Sequence, residues 1–451
     1  MTEVRWLRGV ERYAGHAERL LRDELLPVLV PDSERRHRRW ADVLAWYAAV
    51  CGEPVPAPEG PDNVVVALDP DAHPAARVLG AATRRPVRIA GDDDIGRLVR
   101  ERVRSVVFVG LPASLTVRRM HWLAATVDRP WGVVTAADPA GLSFVVAKIL
   151  LARPRPDPAA LIDMRLSRVR RTGGDGRWTP FEPLADDRVA RWLYERDWDS
   201  LGLDAHGEGA HVNLGKIVLC GLVDGVETDR DGDPVAGCAD DPPRCKRVTS
   251  ADQRVLALRD VRARELFLAS CNGFAVAGDM YPSSLSCVLS AADGFPARVL
   301  TTDRLTMVDH WLAPTLMELA GTASAGRIRE FANDIGLRLT GVRPWILFGD
   351  PCGADEPLPV LGLDGALPTT PGARSVVPFR HDGLGGRVLE APGGRLALGQ
   401  RRGMLAVDTP ATGPWRLVDR TAEWARRTAR MTELGRRVRR VGALEHAARR
   451  L

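Results

Sequence analysis

Apolar positions along this chain follow two alternating rhythms, and their order predicts a mixed α/β protein. Val64-Val65-Val66-Ala67-Leu68 is an unbroken apolar run of strand length, and Pro74 to Gly80 has helical spacing. Val87-Arg88-Ile89 reads as a short strand and Ile95 to Arg102 as a helix. Val106 to Val109, Leu115 to Ala125, Trp131 to Thr135 and Gly141 to Leu151 continue the alternation. Strands that are apolar throughout need cover on both faces. This order therefore implies a mostly parallel sheet between layers of helix.

Before that series, Val10 to Leu29 and Trp40 to Val50 carry apolar residues at helical spacing, so residues 1–60 read as an N-terminal helical segment. It ends in the stiff run Pro54-Val55-Pro56-Ala57-Pro58-Glu59-Gly60-Pro61. Residues 61–183 form the first α/β subdomain. Its last part, Arg153 to Pro183, is rich in Pro, Gly and Arg and reads as a long connection.

The α/β rhythm resumes over 184–357. Asp199 to His206 and Arg264 to Ser270 are strands, and Val212 to Leu222 is a strand or hairpin. Pro282 to Ala292, Leu305 to Ala320 and Ala325 to Leu337 are helices, with strands at Ala297 to Leu300 and Trp345 to Phe348. Over 358–451 short apolar pieces between Gly and Pro suggest β hairpins, followed by a basic amphipathic helix from Asp419 to Leu451. No repeat of fixed period is present.

Composition narrows the picture. Apolar residues make up 45% and charged residues 27% of the 451, the profile of a globular protein. A net charge of +5 is small for this length and demands neither a nucleic-acid partner nor a membrane surface. No apolar run reaches about 18 residues, so no membrane span is expected. The first residues lack a basic stretch followed by an apolar one, which makes the cytoplasm the expected compartment. Seven cysteines, an odd number spread widely, argue for free thiols over a disulfide framework.

The chemistry concentrates at two places. Asp204-Ala205-His206-Gly207-Glu208-Gly209-Ala210-His211 and Leu266-Phe267-Leu268-Ala269-Ser270-Cys271-Asn272-Gly273 each run from an apolar strand into a glycine. Each sets one reactive side chain, His206 or Cys271, at a strand's carboxyl end, where ligand sites of open α/β sheets lie. On neighbouring parallel strands the two could form a base and a nucleophile. The amides of Gly207 and Cys271 are the natural donors to an oxyanion. His211 is the rival base. Asp204 and Asp279 flank the two motifs, and either could floor a pocket for Arg or Lys or be a surface turn.

These residues resemble the caspase-like peptidases, the group that includes caspases, gingipains, clostripain and the CHAT-domain proteases. In that group a strand–His–Gly motif precedes a strand–Cys motif by several dozen residues. Trp131-Gly132-Val133-Val134-Thr135-Ala136-Ala137-Asp138 and Trp345-Ile346-Leu347-Phe348-Gly349-Asp350-Pro351 resemble segments found in gingipain-like and CHAT-like chains. The resemblance covers roughly residues 60 to 360. Ser270-Cys271-Asn272-Gly273 departs from the Gln-Ala-Cys-X-Gly signature of animal caspases, which leaves the preference at the cleaved residue open. The resemblance implies a caspase-like (flavodoxin-like) sheet with helices on both faces. It implies a cysteine endopeptidase that cleaves a peptide or protein substrate without an organic cofactor. A regulatory protein partner is a further expectation. The alternative is an inactive caspase-fold scaffold in a defence or biosynthetic system.

Other motifs weigh less. Cys220, Cys238 and Cys245 lack the close C-x-x-C pairs of structural zinc sites. Asp229-Arg230-Asp231-Gly232-Asp233 lacks the closing Glu of a calcium loop, so no metal is expected. Gly91-Asp92-Asp93-Asp94 reads as a helix start. A nucleotide enzyme would carry glycines after the first strand, where Asp69-Pro70-Asp71-Ala72-His73 stands instead.

Overall fold

Strand structure begins earlier than the apolar spacing suggests. In the computed structural model β1 (Glu3–Leu7) and β2 (Leu25–Leu29) pair in parallel on either side of α1 (Val10–Arg22). The helix expected to run to Leu29 stops because Glu24 takes a left-handed φ of 60° and Pro27 cannot sit inside a helix. α2 (Glu34–Val50) follows, its first turn capped by Ser33 Oγ, which accepts from the Arg36 amide. The structure describes residues 3–51, 62–101, 103–152, 158–173, 178–184, 186–221, 253–276, 286–304, 312–320 and 323–352, with five further strands between 376 and 419.

The alternation from Asn63 is realised as β3 (Asn63–Ala67), α3 (His73–Thr83), β4 (Val87–Ile89), α4 (Asp92–Arg100), β5 (Ser105–Val109), α5 (Val117–Thr126), β6 (Trp131–Val134) and α6 (Pro139–Leu151). The next stretch corrects the expected connection. Arg153 to Pro183 contributes β7 (Ala159–Asp163), β8 (Arg168–Arg171) and β9 (Glu182–Pro183). Ala159-Ala160-Leu161-Ile162 is a short apolar run that its Pro- and Arg-rich flanks disguise. Then come α7 (Asp186–Tyr194), β10 (Trp198–Asp204), β11 (His206–Glu208), β12 (His211–Leu214), β13 (Ile217–Cys220), β14 (Arg254–Ala257) and β15 (Ala263–Ala269). α8 (Cys287–Ala292), β16 (Arg298–Thr302), α9 (Leu312–Leu319), α10 (Ala325–Thr340) and β17 (Trp345–Phe348) complete this part.

Eleven of these strands form one sheet in the order β4-β3-β5-β6-β17-β16-β15-β10-β7-β8-β9. The first four are parallel, and β17 is parallel to β6 but antiparallel to β16. β16, β15, β10 and β7 are parallel to one another. The two halves of the sheet thus run in opposite directions. The carboxyl ends of β10 and β15 open on the edge opposite that of β3 to β6. The protein is a mixed α/β structure with a large, mostly parallel sheet and helices packed on it.

The two tryptophan-led motifs meet next to the seam, where β6 pairs with β17. Gly132 on β6 has no side chain because the Gly349 carbonyl would lie 2.1 Å from a Cβ there. The Gly349 amide donates to the Val133 carbonyl at 2.7 Å, and Asp350 forms a buried ion pair with Arg85 at 2.9 Å. α2 docks through Trp40, stacked on Phe144 of α6 at 4.5 Å. Asp293, just past α8, accepts from Arg36 Nε and Trp40 Nε1, both at 2.8 Å, and also pairs with Arg39.

By contacts, residues 1–356 form one unit and 357–451 another. The second unit contains the expected antiparallel strands: β18 (Val376–Arg380), β19 (Arg387–Glu390), β20 (Arg395–Gly399), β21 (Met404–Asp408) and β22 (Arg416–Asp419). β21 lies between β18 and β20, and β19 pairs with β22. The basic segment after Asp419 lies outside the described residues. Among those described, no helix is long and apolar enough to cross a membrane.

Candidate active site

β10 and β15 are adjacent and parallel, and their last paired row sets Asp204 opposite Ala269. His206 and Cys271 each stand two residues beyond that row. Adjacent strands lie about 4.8 Å apart, so the two motifs leave the sheet side by side. The Ala205 amide donates to the Ala269 carbonyl at 3.3 Å, which carries the pairing past the strand ends.

Gly207 closes the remaining gap. A Cβ there would lie 3.0 Å from Ser270 Cβ and 2.8 Å from the His211 carbonyl. Only glycine lets the histidine segment lie this close to the cysteine segment. From here β11 enters a small sheet of order β11-β12-β13-β14, which carries His206 off the end of β10.

The Cys271 turn is fixed to the end of β16. Asn272 adopts φ 52°, the left-handed conformation of a tight turn. Gly273 meets Thr301, whose Oγ1 would lie 2.0 Å from a Cβ. Thr302 Oγ1 donates to the Ser270 carbonyl at 2.7 Å, and the Phe274 amide donates to the Thr302 carbonyl at 2.8 Å. The Asn272 amide reaches the Arg304 carbonyl at 3.1 Å.

The histidine loop is fixed from α8. The Cys287 amide, at the start of that helix, donates to the Gly209 carbonyl at 2.8 Å. The far end of α8 is held by Lys148, fully buried on α6. Its ammonium lies 2.7 to 3.1 Å from the carbonyls of Ala291, Ala292, Gly294 and Pro296. Sequence reading passed over Lys148, because one lysine in the apolar run Phe144 to Leu151 gives no hint of its partners.

Among the described cysteines, Cys51, Cys220 and Cys287 are buried, whereas Cys271 and Cys352 are half-buried. Cys352 is held against Ser105 Oγ at 3.0 Å, and burial pushes its thiol up to about 12. Such a thiol is a poor nucleophile. His206 is exposed, two residues past the end of β10. The rival base, His211, belongs to β12, opposite Glu208 on one side and Cys220 on the other.

Asp204 is fully buried and forms an ion pair with Arg165 Nε at 3.0 Å. In the sheet it lies opposite Asp163 of β7, a residue the sequence reading left inside a connection. Burial pushes the Asp204 carboxyl up to about 6, with Arg165 pulling the other way. Asp279, the calcium-like aspartates, Cys238 and Cys245 lie outside the described residues. Among those described, no group of three or more His, Cys, Asp or Glu residues is arranged to hold a metal ion.

At the carboxyl end of β3, Asp69 closes the turn by accepting from the Ala72 and Leu111 amides at 2.8 and 2.9 Å. Gly91 and Asp94 cap α4 as the run of acids suggested, the Gly91 amide donating to Asp94 at 3.3 Å.

A scan against models of known protein families finds no match to this chain, and a search of curated proteins finds none either.

Proposed function

We propose that this protein is a caspase-like cysteine endopeptidase in which Cys271 attacks and His206 moves protons. The observation that carries this reading is the pairing of Asp204 with Ala269, which sets the two reactive residues equally far beyond neighbouring parallel strands. The Gly207 contact with Ser270 supports it, since the two motifs are built to touch.

The chemistry follows from the residue types. Proton transfer to His206 leaves a Cys271 thiolate, whose sulfur bonds to the substrate's carbonyl carbon while the carbonyl electron pair moves to oxygen. The amides of Gly207 and Cys271 stabilise that oxyanion. The carbon–nitrogen bond then breaks, and the His206 imidazolium gives its proton to the leaving amine. Water, deprotonated by the same imidazole, hydrolyses the thioester and restores the thiol.

The test is a peptide-library digestion by the parent protein and by the Cys271→Ala and His206→Ala variants. Both variants should lose turnover by about a thousandfold or more while melting at the parent's temperature. A Cys271→Ala protein that cleaves as fast as the parent would falsify the assignment.

A further inference from the structure

α3 and β4 enclose a basic cavity at one edge of the large sheet, where β4 is the outermost strand. The cavity is open and measures about 590 Å³, the size of a small-molecule site. Among the described residues that line it, His73, Arg77, Arg84 and Arg85 are basic and none is acidic. Arg77 stands four residues after His73 and Arg84 seven after Arg77. That spacing sets all three on one face of α3 and its C-cap.

The backbone is shaped to make this cavity. Gly80 lacks a side chain because Val87 Cγ2 and the Arg85 carbonyl would lie 2.2 and 2.9 Å from a Cβ there. Glycine thus lets β4 close against the helix. The helix ends at Arg84, which adopts a left-handed φ of 52°. Glycine takes that conformation at lower cost, yet an arginine occupies it.

Arg85 is the observation that points to a ligand. Its side chain is 1% exposed, and its Nη1 lies 3.0 and 2.9 Å from the two carboxylate oxygens of Asp350. Its Nε is buried with no hydrogen-bond partner. A donor left unmade on a buried charged group is costly, and an acceptor seated in the cavity would relieve it.

We infer that this cavity binds a soluble phosphate-bearing small molecule, a diphosphate ahead of a single phosphate. Phosphate oxygens match the planar fork of arginine and carry more charge than one carboxylate. Seven helical residues separate Arg77 from Arg84 by about 10 Å, so two adjacent phosphates reach both guanidiniums better than one does. β4 lies six strand positions from β15 in the sheet, so this site does not depend on the peptidase reading.

The experiment titrates the full-length protein with inorganic pyrophosphate, orthophosphate and malonate at one ionic strength, followed by calorimetry. Pyrophosphate should bind at least about tenfold more tightly than orthophosphate, and malonate more weakly than either. Arg77→Gln and Arg84→Gln should each weaken pyrophosphate binding by about tenfold. Arg85→Met combined with Asp350→Leu removes the buried ion pair whole and should abolish binding. Arg38→Gln, on an exposed arginine of α2, should leave it unchanged. If the paired variant fails to fold, the two glutamine variants decide. No binding of pyrophosphate, no preference over orthophosphate, full affinity in Arg77→Gln and Arg84→Gln, or an equal loss in Arg38→Gln overturns the inference. Retention on phosphatidic-acid vesicles or on a DNA oligonucleotide without pyrophosphate binding also overturns it, and assigns the basic face to a lipid surface or to nucleic acid.

Discussion

Gly207 lies so close to Ser270 that a Cβ on it would come within 3.0 Å of the serine's own. That contact joins the histidine loop to the cysteine loop, and it predicts a specific weakness. Gly207→Ala forces a methyl group against Ser270 and the His211 carbonyl, and should cost about 1–3 kcal/mol of stability. Its effect on turnover should be larger than the stability loss explains, because it parts His206 from Cys271. Denaturant melts beside single-turnover cleavage measure both. Full activity in Gly207→Ala would contradict the role given to this contact.

Asp204 gives stability a pH signature. Its native value is raised to about 6, through burial opposed by Arg165 and modified by Asp163 and Arg168, against about 3.9 in an unfolded chain. The native state therefore holds this proton more tightly than the unfolded state. That advantage is present in full below pH 4 and is lost as pH rises through 6, on the order of 3 kcal/mol at most. Asp204→Asn removes the step. The variant should thus gain stability relative to the parent between pH 4 and pH 7, as read by urea midpoints. A gap that stays constant over that range would refute the assignment.

Lys148 should prove essential to the fold though it is far from the chemistry in sequence. Lys148→Met leaves four buried carbonyls without their common donor and should cost at least about 3 kcal/mol. Because α8 also holds the Gly209 carbonyl, hydrogen exchange should quicken in residues 206–211 as well as around α8. Unchanged exchange in the histidine loop would show that α8 does not support it.

Much of this architecture was legible in the chain, for physical reasons that also explain the misses. Val64 to Leu68 and Leu266 to Ala269 are apolar runs bounded by turn residues, and burial on both faces makes such strands plain. The strands β2 and β7 were not plain. Leu25 to Leu29 continues a helical spacing until Pro27 breaks it, and Ala159 to Asp163 lies among prolines and arginines that mark a loop. That the segments bearing His206 and Cys271 follow the ends of neighbouring strands was readable, because each apolar run passes into a glycine-bearing turn. Asp163 was not, since its importance comes from register with Asp204, and register is a property of the assembled sheet. The reversal of direction between β16 and β17 was likewise invisible, because a strand buried on both faces carries the same apolar pattern whichever way its neighbour runs.

The central claim is that Cys271 is the nucleophile and His206 its base, and alkylation measures this directly. Iodoacetamide at neutral pH, followed by peptide mass spectrometry, gives a rate for each cysteine. Cys271 should react far faster than Cys352, whose thiol is held protonated, and His206→Ala should slow Cys271 by about tenfold or more without changing Cys352. Equal slow labelling of both, indifferent to His206, would contradict the account.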